Sequence, residues 1–270
     1  MNSKWIRFIL GVTVLLSCAP LLLVAEDSLT KEQMKDFLLK AKVVSSSQSK
    51  KGITNPFHLV LKDGTTTHDG SFQSIDEHKP SMQFANGQTE FNFVDSYKYN
   101  IAAYALAELL GVDDMLPVYV ERKWNGQVGS LSWWLPVKMD EEERLKKKIP
   151  APDADVWNKQ MYRIRVFDSL VYDSDANLTN VLIGENWKIY RVDFSRAFRL
   201  SEDLKDPKDL VQCERQLFAK LKALDSNELN QKTKGYLTKL ETRSVMARRD
   251  KIVAYFNKLI SEKGESAVLY

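Results

Sequence analysis

The stretch DSDANLTNVLIGENWKIYRVDFSRAF, residues 173–198, decides both the fold and the candidate site of this chain. Two short β-rich runs, NVLI and WKIYRV, lie on either side of a Gly-Glu-Asn turn at 184–186, which predicts a β-hairpin. A hairpin brings the residue that enters its first strand beside the residue that leaves its second. We therefore expect Asn180 and Asp193 to converge at one end, with Asp175 five residues earlier on the preceding loop.

These three side chains suit phosphoryl transfer. An amide oxygen and a carboxylate are hard oxygen ligands, so Asn180 and Asp193 together can form a Mg²⁺ site that keeps waters and binds phosphate oxygens. Asp175 is placed to orient a hydroxyl nucleophile and accept its proton. Positioning and charge neutralisation supply most of the catalysis in this class of reaction.

The same spacing resembles the catalytic loop and metal-binding motif of protein-kinase-like folds. The nearer likeness is to the atypical branch, which contains phosphatidylinositol 3-/4-kinases, HipA-like kinases and secreted casein-kinase-like enzymes. The phrases IAAYALAELLG, VGSLSWWLP and MARRDKIVAYFNKLISEKGESAVLY are similar to those of a group of exported bacterial proteins with that fold. The resemblance covers 57–270. It implies ATP or another nucleotide and Mg as cofactors, Asp175 as the catalytic residue, and Asn180 and Asp193 as the metal ligands.

The resemblance also locates two departures from the family pattern. Gln73 stands where such kinases place the strand lysine that holds the nucleotide phosphates, and Asn100 stands where a helix glutamate would pair with it. A neutral donor gives about half the strength of a charged one, so these amides favour an inactive protein. Other lysines that could substitute from elsewhere are Lys62, Lys79 and Lys98.

Two further side chains near the expected nucleotide site have open interpretations. Trp134 either lines an adenine site, with Leu135 and Pro136 as the hinge, or is an ordinary aromatic of the N-lobe. Arg196 is expected to form a salt bridge within the active-site loop.

The pattern along the chain predicts an α+β, two-lobed fold. Strands, an Asn-Gly hairpin at 125–126 and one main helix make a strand-rich N-lobe, and a mainly helical C-lobe carries the catalytic β-hairpin at its cleft. The expected boundaries are a signal peptide over 1–25, an N-terminal helix and connector over 26–56, the N-lobe over 57–137, a charged linker over 138–156 and the helical C-lobe over 157–270.

The N-terminus has the layout of an export signal. MNSKWIR is basic, seventeen uncharged residues follow, and Ala25 is a small residue where a signal peptidase would cut. The alternatives are an uncleaved membrane anchor and lipidation at Cys18. We therefore expect a periplasmic or secreted protein that meets a membrane only if this segment is uncleaved or lipidated.

Composition limits the partners and the metal chemistry. A net charge of +3, from 39 basic and 36 acidic residues, is too small to indicate nucleic-acid binding. Cleavage of the signal leaves only Cys213, so no intrachain disulfide is possible. His58, His68 and His78 match no metal motif and are expected at the surface.

Three classes of function remain. The first is an exported kinase-like phosphotransferase that binds a nucleotide and modifies an unknown protein, lipid or small-molecule acceptor. The second is a catalytically inactive relative that binds nucleotide or a partner, as Gln73 and Asn100 suggest. The third is a carboxylate-based hydrolase with Asp175 and Asp193 as an acid/base pair, in which Asn180 has no role. Scarcity of ATP outside the cytoplasm weighs against the first class.

Overall fold

The computed structural model describes residues 29–48, 56–84 and 87–270. The predicted signal peptide lies outside the described residues, as does part of the predicted connector. The strands are β1 (Lys42–Gln48), β2 (Phe57–Asp63), β3 (Thr66–Gln73), β4 (Asp76–Gln83), β5 (Thr89–Ser96), β6 (Tyr119–Trp124), β7 (Gln127–Trp133), β8 (Val137–Asp140), β9 (Val181–Gly184) and β10 (Ile189–Arg191). The helices are α1 (Lys31–Lys40), α2 (Tyr97–Leu110), α3 (Glu141–Lys146), α4 (Ala154–Val171), α5 (Arg215–Ala223), α6 (Ser226–Lys232), α7 (Lys239–Lys263) and α8 (Glu265–Val268).

The N-lobe is an antiparallel sheet in the order β1-β2-β3-β7-β6, with α2 packed against β6 and β7. Asn125 and Gly126 both adopt positive φ at the β6–β7 turn, as the favoured two-residue hairpin turn requires. Helix α2 begins after the N-cap Ser96 and ends at Gly111, which takes the left-handed conformation. Helix α2 is buried along most of its length, so packing holds its side chains in fixed positions against the sheet.

In the N-terminal segment the helix is shorter than the sequence pattern predicted, and a strand that was not predicted follows it. Helix α1 ends at Lys40, and 42–48, which the pattern divided between the helix and the connector, form β1 paired with β2. Most side chains of β1 are exposed. Backbone pairing with β2, and not burial of side chains, therefore defines this edge strand. Because few of its side chains are buried, hydrophobic periodicity did not predict it.

A β4–β5 hairpin between β3 and α2 was not predicted. Its two strands pair only with each other among the described residues, and nearly every residue of β4 is exposed. A strand with two polar faces has no alternation of apolar and polar residues from which it could be recognised.

The segment predicted as a solvated linker is for a large part regular structure. Strand β8 pairs with β9, so the predicted hairpin becomes the sheet β10-β9-β8. Asp140 caps α3 by accepting the Glu143 amide proton at 2.8 Å. Within this charged run Met139 and Glu141 are buried, and Glu141 pairs with Arg144 at 2.6 Å.

The C-lobe is mainly helical, and α7 packs on α4, α5 and α6. Arg248 of α7 is fully buried and donates to the carbonyl oxygens of Leu170 at 2.7 Å and Arg199 at 2.9 Å. One apolar core runs through both lobes, from Phe72 and Leu131 to Phe256. The α+β class predicted from the sequence is confirmed. None of the described helices is long and apolar enough to cross a membrane.

Gly129 of β7 lies where the chain approaches β3 most closely. A Cβ there would lie 2.3 Å from the carbonyl oxygen of Gln73 and 2.8 Å from the Phe72 ring, and the backbone atom cannot move aside cheaply. We expect Gly129→Ala to lower the free energy of unfolding by about 1–3 kcal/mol, measured by urea denaturation. The control is Val128→Ala on the same strand, where the side chain is half exposed. Equal losses for both variants would contradict this account.

Candidate active site

A cavity of about 530 Å³ lies between the N-lobe sheet and the β9–β10 hairpin. It is lined by five of the six residues proposed from the sequence, namely Gln73, Asn100, Trp134, Asn180 and Asp193. The sixth, Asp175, lies on an exposed loop next to Asn180, whose Nδ2 is 3.4 Å from the Asp175 carbonyl oxygen. The structure therefore gathers these residues in one region, while their chemical roles stay predictions.

Asn180 and Asp193 face the cavity from the open end of the hairpin. The Val192 amide donates to the Asn180 carbonyl at 3.0 Å, which continues the β9–β10 pairing by one step and sets Asn180 beside the residue that precedes Asp193. Because the Nδ2 of Asn180 points to Asp175, its Oδ1 is the remaining side-chain ligand atom. A carboxylate and an amide oxygen are a donor set that suits a hard divalent cation.

The backbone of Asp193 has an uncommon conformation. Its φ is +60°, a value that few residues other than glycine adopt, and its Oδ1 accepts the Ser195 amide proton at 3.3 Å. Such outliers persist only where the surroundings fix them.

A second carboxylate, that of Asp95, lies near Asp193. Burial raises the pKa of the Asp95 carboxyl, a hydrogen bond with Ser195 lowers it, and the charge of Asp193 raises it. Oδ1 of Asp95 is buried and has no hydrogen-bond partner in the described part of the chain.

The residues 29–48, 56–84 and 87–270 contain no group of three or more His, Cys, Asp or Glu side chains able to hold a metal ion by themselves. A divalent ion bound by Asn180 and Asp193 would therefore take its remaining ligands from waters or phosphate oxygens. The oxygen atoms of Asn180 and Asp193 are compatible with such a coordination shell.

A buried arginine joins the loop of Asp175 to the segment of Asp193. Arg191 has no exposed surface, and its guanidinium pairs with Asp168, with Nε 3.2 Å from Oδ1, and with Asp173. The same group donates to the carbonyl oxygens of Val192 and, at 3.4 Å, of Asp193. Asp173 in turn accepts the amide proton of Asp175 at 2.9 Å. One side chain thus fixes the loop of Asp175 relative to Asp193.

The amides at the top of the cavity form a hydrogen-bonded chain. Asn100 donates from Nδ2 to Oε1 of Gln73 at 2.7 Å, and its Oδ1 accepts the Phe194 amide proton at 2.7 Å. Gln73 lies on β3 and Asn100 on α2, so an amide pair occupies the region between a sheet strand and the main helix of the N-lobe. Of the three lysines considered as substitutes, two form ion pairs outside the cavity, Lys79 with Glu77 and Lys98 with Asp76. The described residues that line the cavity include neither lysine nor arginine.

Trp134 lies at the mouth of the cavity and is 43% exposed. Both backbone polar groups of Trp134 have partners within the chain. Its N–H donates to the Asp69 carbonyl at 3.1 Å, and its carbonyl oxygen lies 3.0 Å from Nε2 of His68. The His58 ring packs against Trp134, with centroids 4.6 Å apart. The prediction of surface histidines is therefore wrong for His58 and His68, which are half-buried because β2 and β3 carry them to the tryptophans that end β7.

Arg196 does not pair within its own loop as expected. It pairs with Glu90 of β5, as does Arg199, and its guanidinium lies over the Phe93 ring at 4.6 Å. The unpredicted β4–β5 hairpin is therefore bound to the segment that follows Asp193.

Solved structures resemble this chain in fold at low sequence identity. The structure of the hydra Fam20 protein with sugar matches with a TM-score of 0.66 and 15% identity, over 88% of this chain and 91% of that one. The Golgi casein kinase with Mn and ADP bound matches with a TM-score of 0.64 and 12% identity, over 88% and 78%. The Helicobacter pylori proinflammatory kinase CtkA matches with a TM-score of 0.50 and 9% identity, over 84% and 98%. No protein-family model and no curated protein matches the sequence.

The chain therefore has an atypical kinase-like fold, with a strand-rich lobe and a helical lobe on either side of the cavity. The resemblance drawn from the sequence is confirmed at this level. Arg191, Asp168 and Asp173 were not singled out from the sequence. The one available signal was a charged residue in the otherwise apolar run of β10.

Removing Arg191 would leave the buried carboxylate of Asp173 and the partly buried carboxylate of Asp168 without their partner. We expect Arg191→Met to lower the free energy of unfolding by about 3–5 kcal/mol at pH 8, measured by urea denaturation. Burial already raises the pKa of Asp168 and raises that of Asp173 to about 6, and loss of the guanidinium raises both further. An acid with a higher pKa in the folded protein binds more protons when folded, so lowering the pH stabilises the fold. The loss relative to the wild type should therefore shrink as the pH falls from 8 towards 6, because the Asp173 carboxyl of the wild type, with its pKa of about 6, becomes protonated as well below that pH.

The matched control is Arg215→Met, which removes the same charge from an exposed pair with Glu265. Exposed pairs contribute about 0–1 kcal/mol, so this variant should stay close to the wild type at every pH. A loss for Arg191→Met that is small or independent of pH would contradict the role assigned to the buried pair.

Proposed function

We propose that this protein is an exported atypical kinase-like phosphotransferase. In this proposal it takes a phosphoryl group from ATP or another nucleotide, with Mg²⁺, and transfers it to a protein, lipid or small-molecule acceptor. The observation that carries the proposal is the convergence of Asn180, Asp193 and the amide pair Gln73–Asn100 on one cavity. The kinase-like fold supports it, as does the Mn/ADP complex of the Golgi casein kinase.

In the proposed reaction, each of these residues has a separate role. Asp193 supplies negative charge for the divalent ion and Asn180 a neutral oxygen, and the ion when bound neutralises phosphate oxygens. Asp175, on its exposed loop, orients the acceptor hydroxyl and takes its proton. Trp134, Leu182 and Val192 offer apolar surface to a base in the same cavity. A volume of about 530 Å³ lies in the usual range for small-molecule sites.

The second candidate is a catalytically inactive protein that binds nucleotide or a partner. The amides at 73 and 100 favour it, because the described cavity lining offers no cation to the phosphates. The carboxylate-based hydrolase has less support. It leaves Asn180 without a role, and the kinase-like fold neighbours favour phosphoryl transfer.

Two isosteric substitutions separate metal binding from proton transfer. We expect Asp193→Asn to abolish Mg²⁺-dependent ATP binding, because it removes the charge that holds the ion but keeps the shape. We expect Asp175→Asn to bind ATP as tightly as the wild type but to lose any transfer activity, because a base that orients the acceptor contributes little to nucleotide affinity. Calorimetry with ATP and Mg²⁺, and then phosphate transfer to acceptors including the protein itself, measures both.

The control is Asp36→Asn, an exposed residue of α1 paired with Lys40, which should change neither binding nor transfer. Wild type that binds but transfers to no acceptor would favour the inactive candidate. No binding of nucleotide by the wild type with Mg²⁺ or Mn²⁺ would refute both kinase-derived candidates.

The export part of the proposal rests on the first 25 residues and has its own test. We expect the full-length chain expressed in a bacterium to be recovered from the periplasm or medium with a new N-terminus near Glu26. Intact-mass measurement of the purified protein checks the cut, and replacing Ala25 by Arg, which a signal peptidase does not accept, is the control. Full-length protein in the cytoplasm would overturn export, whereas full-length protein in the membrane would indicate an anchor.

A further inference from the structure

Arg196 is the residue at which the β4–β5 hairpin meets the loop of Asp175. Its guanidinium pairs with Glu90 of β5. It also lies over the ring of Phe84, at 5.3 Å, and over the ring of Phe93, at 4.6 Å. Phe84 directly follows β4 and Phe93 belongs to β5. The side chain of Arg196 is therefore held by a carboxylate and two aromatic faces of the same hairpin.

The backbone of Arg196 contacts the loop of Asp175. Its carbonyl oxygen accepts two hydrogen bonds from Ser174, one from the amide N–H at 3.2 Å and one from Oγ at 3.0 Å. Ser174 directly precedes Asp175 in the chain. The Asp175 amide is held separately by Asp173, the partner of Arg191. The loop of Asp175 thus has two supports, and one of them comes from the hairpin through Arg196.

The ion pair that holds Arg196 is shared with a second arginine. Glu90 also pairs with Arg199, and the side chains of Glu90, Arg196 and Arg199 are only 21%, 15% and 12% exposed. Charges at this depth are screened less by water than charges at the surface, so the attraction is stronger than in an exposed pair. Without the carboxylate of Glu90, two guanidinium groups of the same charge would lie together without a counter-ion.

The metal ligand Asp193 has supports that do not involve the hairpin. Arg191 donates to its carbonyl oxygen at 3.4 Å, and the amide of the next residue, Phe194, donates to Oδ1 of Asn100 at 2.7 Å. Neither contact uses the side chain of Arg196. Loss of that side chain should therefore displace the loop of Asp175 more than the residues expected to hold the nucleotide and the metal.

We propose that Arg196 is a positioning residue, through which the β4–β5 hairpin holds the loop of Asp175 where Asp175 can reach the acceptor hydroxyl. This inference rests on the proposed function, because it needs Asp175 to act on an acceptor. In it, the hairpin, whose strands pair only with each other among the described residues, sets the rate of transfer and not the affinity for nucleotide.

The rate and the affinity can be measured separately, with ATP and Mg²⁺ and with the protein itself or water as the acceptor. We expect Arg196→Ala to lower kcat about 10- to 100-fold, as a misplaced catalytic group does. The KM for ATP, and its affinity by calorimetry, should change by less than about twofold. Arg196→Lys keeps a charge for Glu90 and should recover most of the rate. Glu90→Gln should resemble Arg196→Ala, and the double variant should be no slower than Arg196→Ala.

The matched control is Glu77→Gln, which removes the same charge from an exposed pair with Lys79 on the same hairpin. It should equal the wild type in both rate and affinity. An unchanged kcat in Arg196→Ala would overturn the positioning role. So would a loss of ATP affinity as large as the loss of rate, or effects of Glu90→Gln and Arg196→Ala that multiply in the double variant.

A ligand-free measurement keeps this inference apart from the proposed function. Hydrogen exchange at the Ser174 amide should be slow in the wild type and Arg196→Lys, and about 10-fold faster in Arg196→Ala and Glu90→Gln. The Phe194 amide, which donates to Asn100, should stay slow in all of them and serves as the reference. If Arg196→Ala does not fold, Glu90→Gln, which keeps the shape of the side chain, decides the outcome.

The two failures give different results. Equal protection of the Ser174 amide in the wild type and both variants would overturn the connection between the hairpin and the loop, even if transfer falls. Faster exchange in both variants, together with no binding of ATP by the wild type, would confirm the connection. That result would refute the proposed function and, with it, the effect of Arg196 on transfer.

Discussion

A guanidinium with no exposed surface has to be neutralised where it lies, and this constraint on Arg191 organises the candidate site. An unpaired charge in a protein interior costs several kcal/mol, so Asp168 at the end of α4 and Asp173 after it must stay beside the last residue of β10. Asp173 fixes the amide of Asp175, and Arg191 itself fixes the carbonyl of Asp193. Helix α4, the loop of Asp175 and the β9–β10 hairpin therefore share one electrostatic centre, and none of them can shift without exposing or separating charge.

The two halves of the cavity are built on different principles. The helical side uses charge, with Arg191 buried beneath carboxylates and Asp193 next to the half-satisfied Asp95. The sheet side uses neutral amides, in which each donor meets one acceptor. A phosphate entering such a cavity meets negative charge on one side and dipoles on the other. Under the proposed function, a divalent cation that arrives with the nucleotide would neutralise the carboxylates and the phosphates together.

The sequence predicted which of the proposed site residues lie close together wherever local geometry decides their placement. Asn180 and Asp193 meet because hairpin register is fixed over a dozen residues, and a single Asn-Gly turn defines β6–β7 in the same way. The β4–β5 hairpin and β8 were missed because their pairing depends on partners and not on apolar alternation. The ion pair of Arg191 with Asp173 was missed for a related reason. Residue spacing does not indicate which charged side chains are buried together in the folded protein. The arginine in the otherwise apolar run of β10 was, however, a visible irregularity.

The position of Asn100 depends on contacts far from the cavity. Helix α2 is attached to the helical lobe through Tyr99, whose hydroxyl donates to Glu241 of α7, and through the Ser96 amide, which donates to the Ser195 carbonyl at 2.9 Å. Both contacts come just before Asn100 in sequence, so the amide that Phe194 reaches is held from the C-lobe as well as from the sheet. Burial raises the pKa of the Tyr99 hydroxyl, which therefore stays a donor over the physiological pH range. Helix α2 also packs on β6 and β7 of the sheet, and Asn100 lies between Gln73 of β3 and the Phe194 amide. The helix therefore connects the sheet side of the cavity to the segment of Asp193, and a shift of one side relative to the other would break hydrogen bonds on α2.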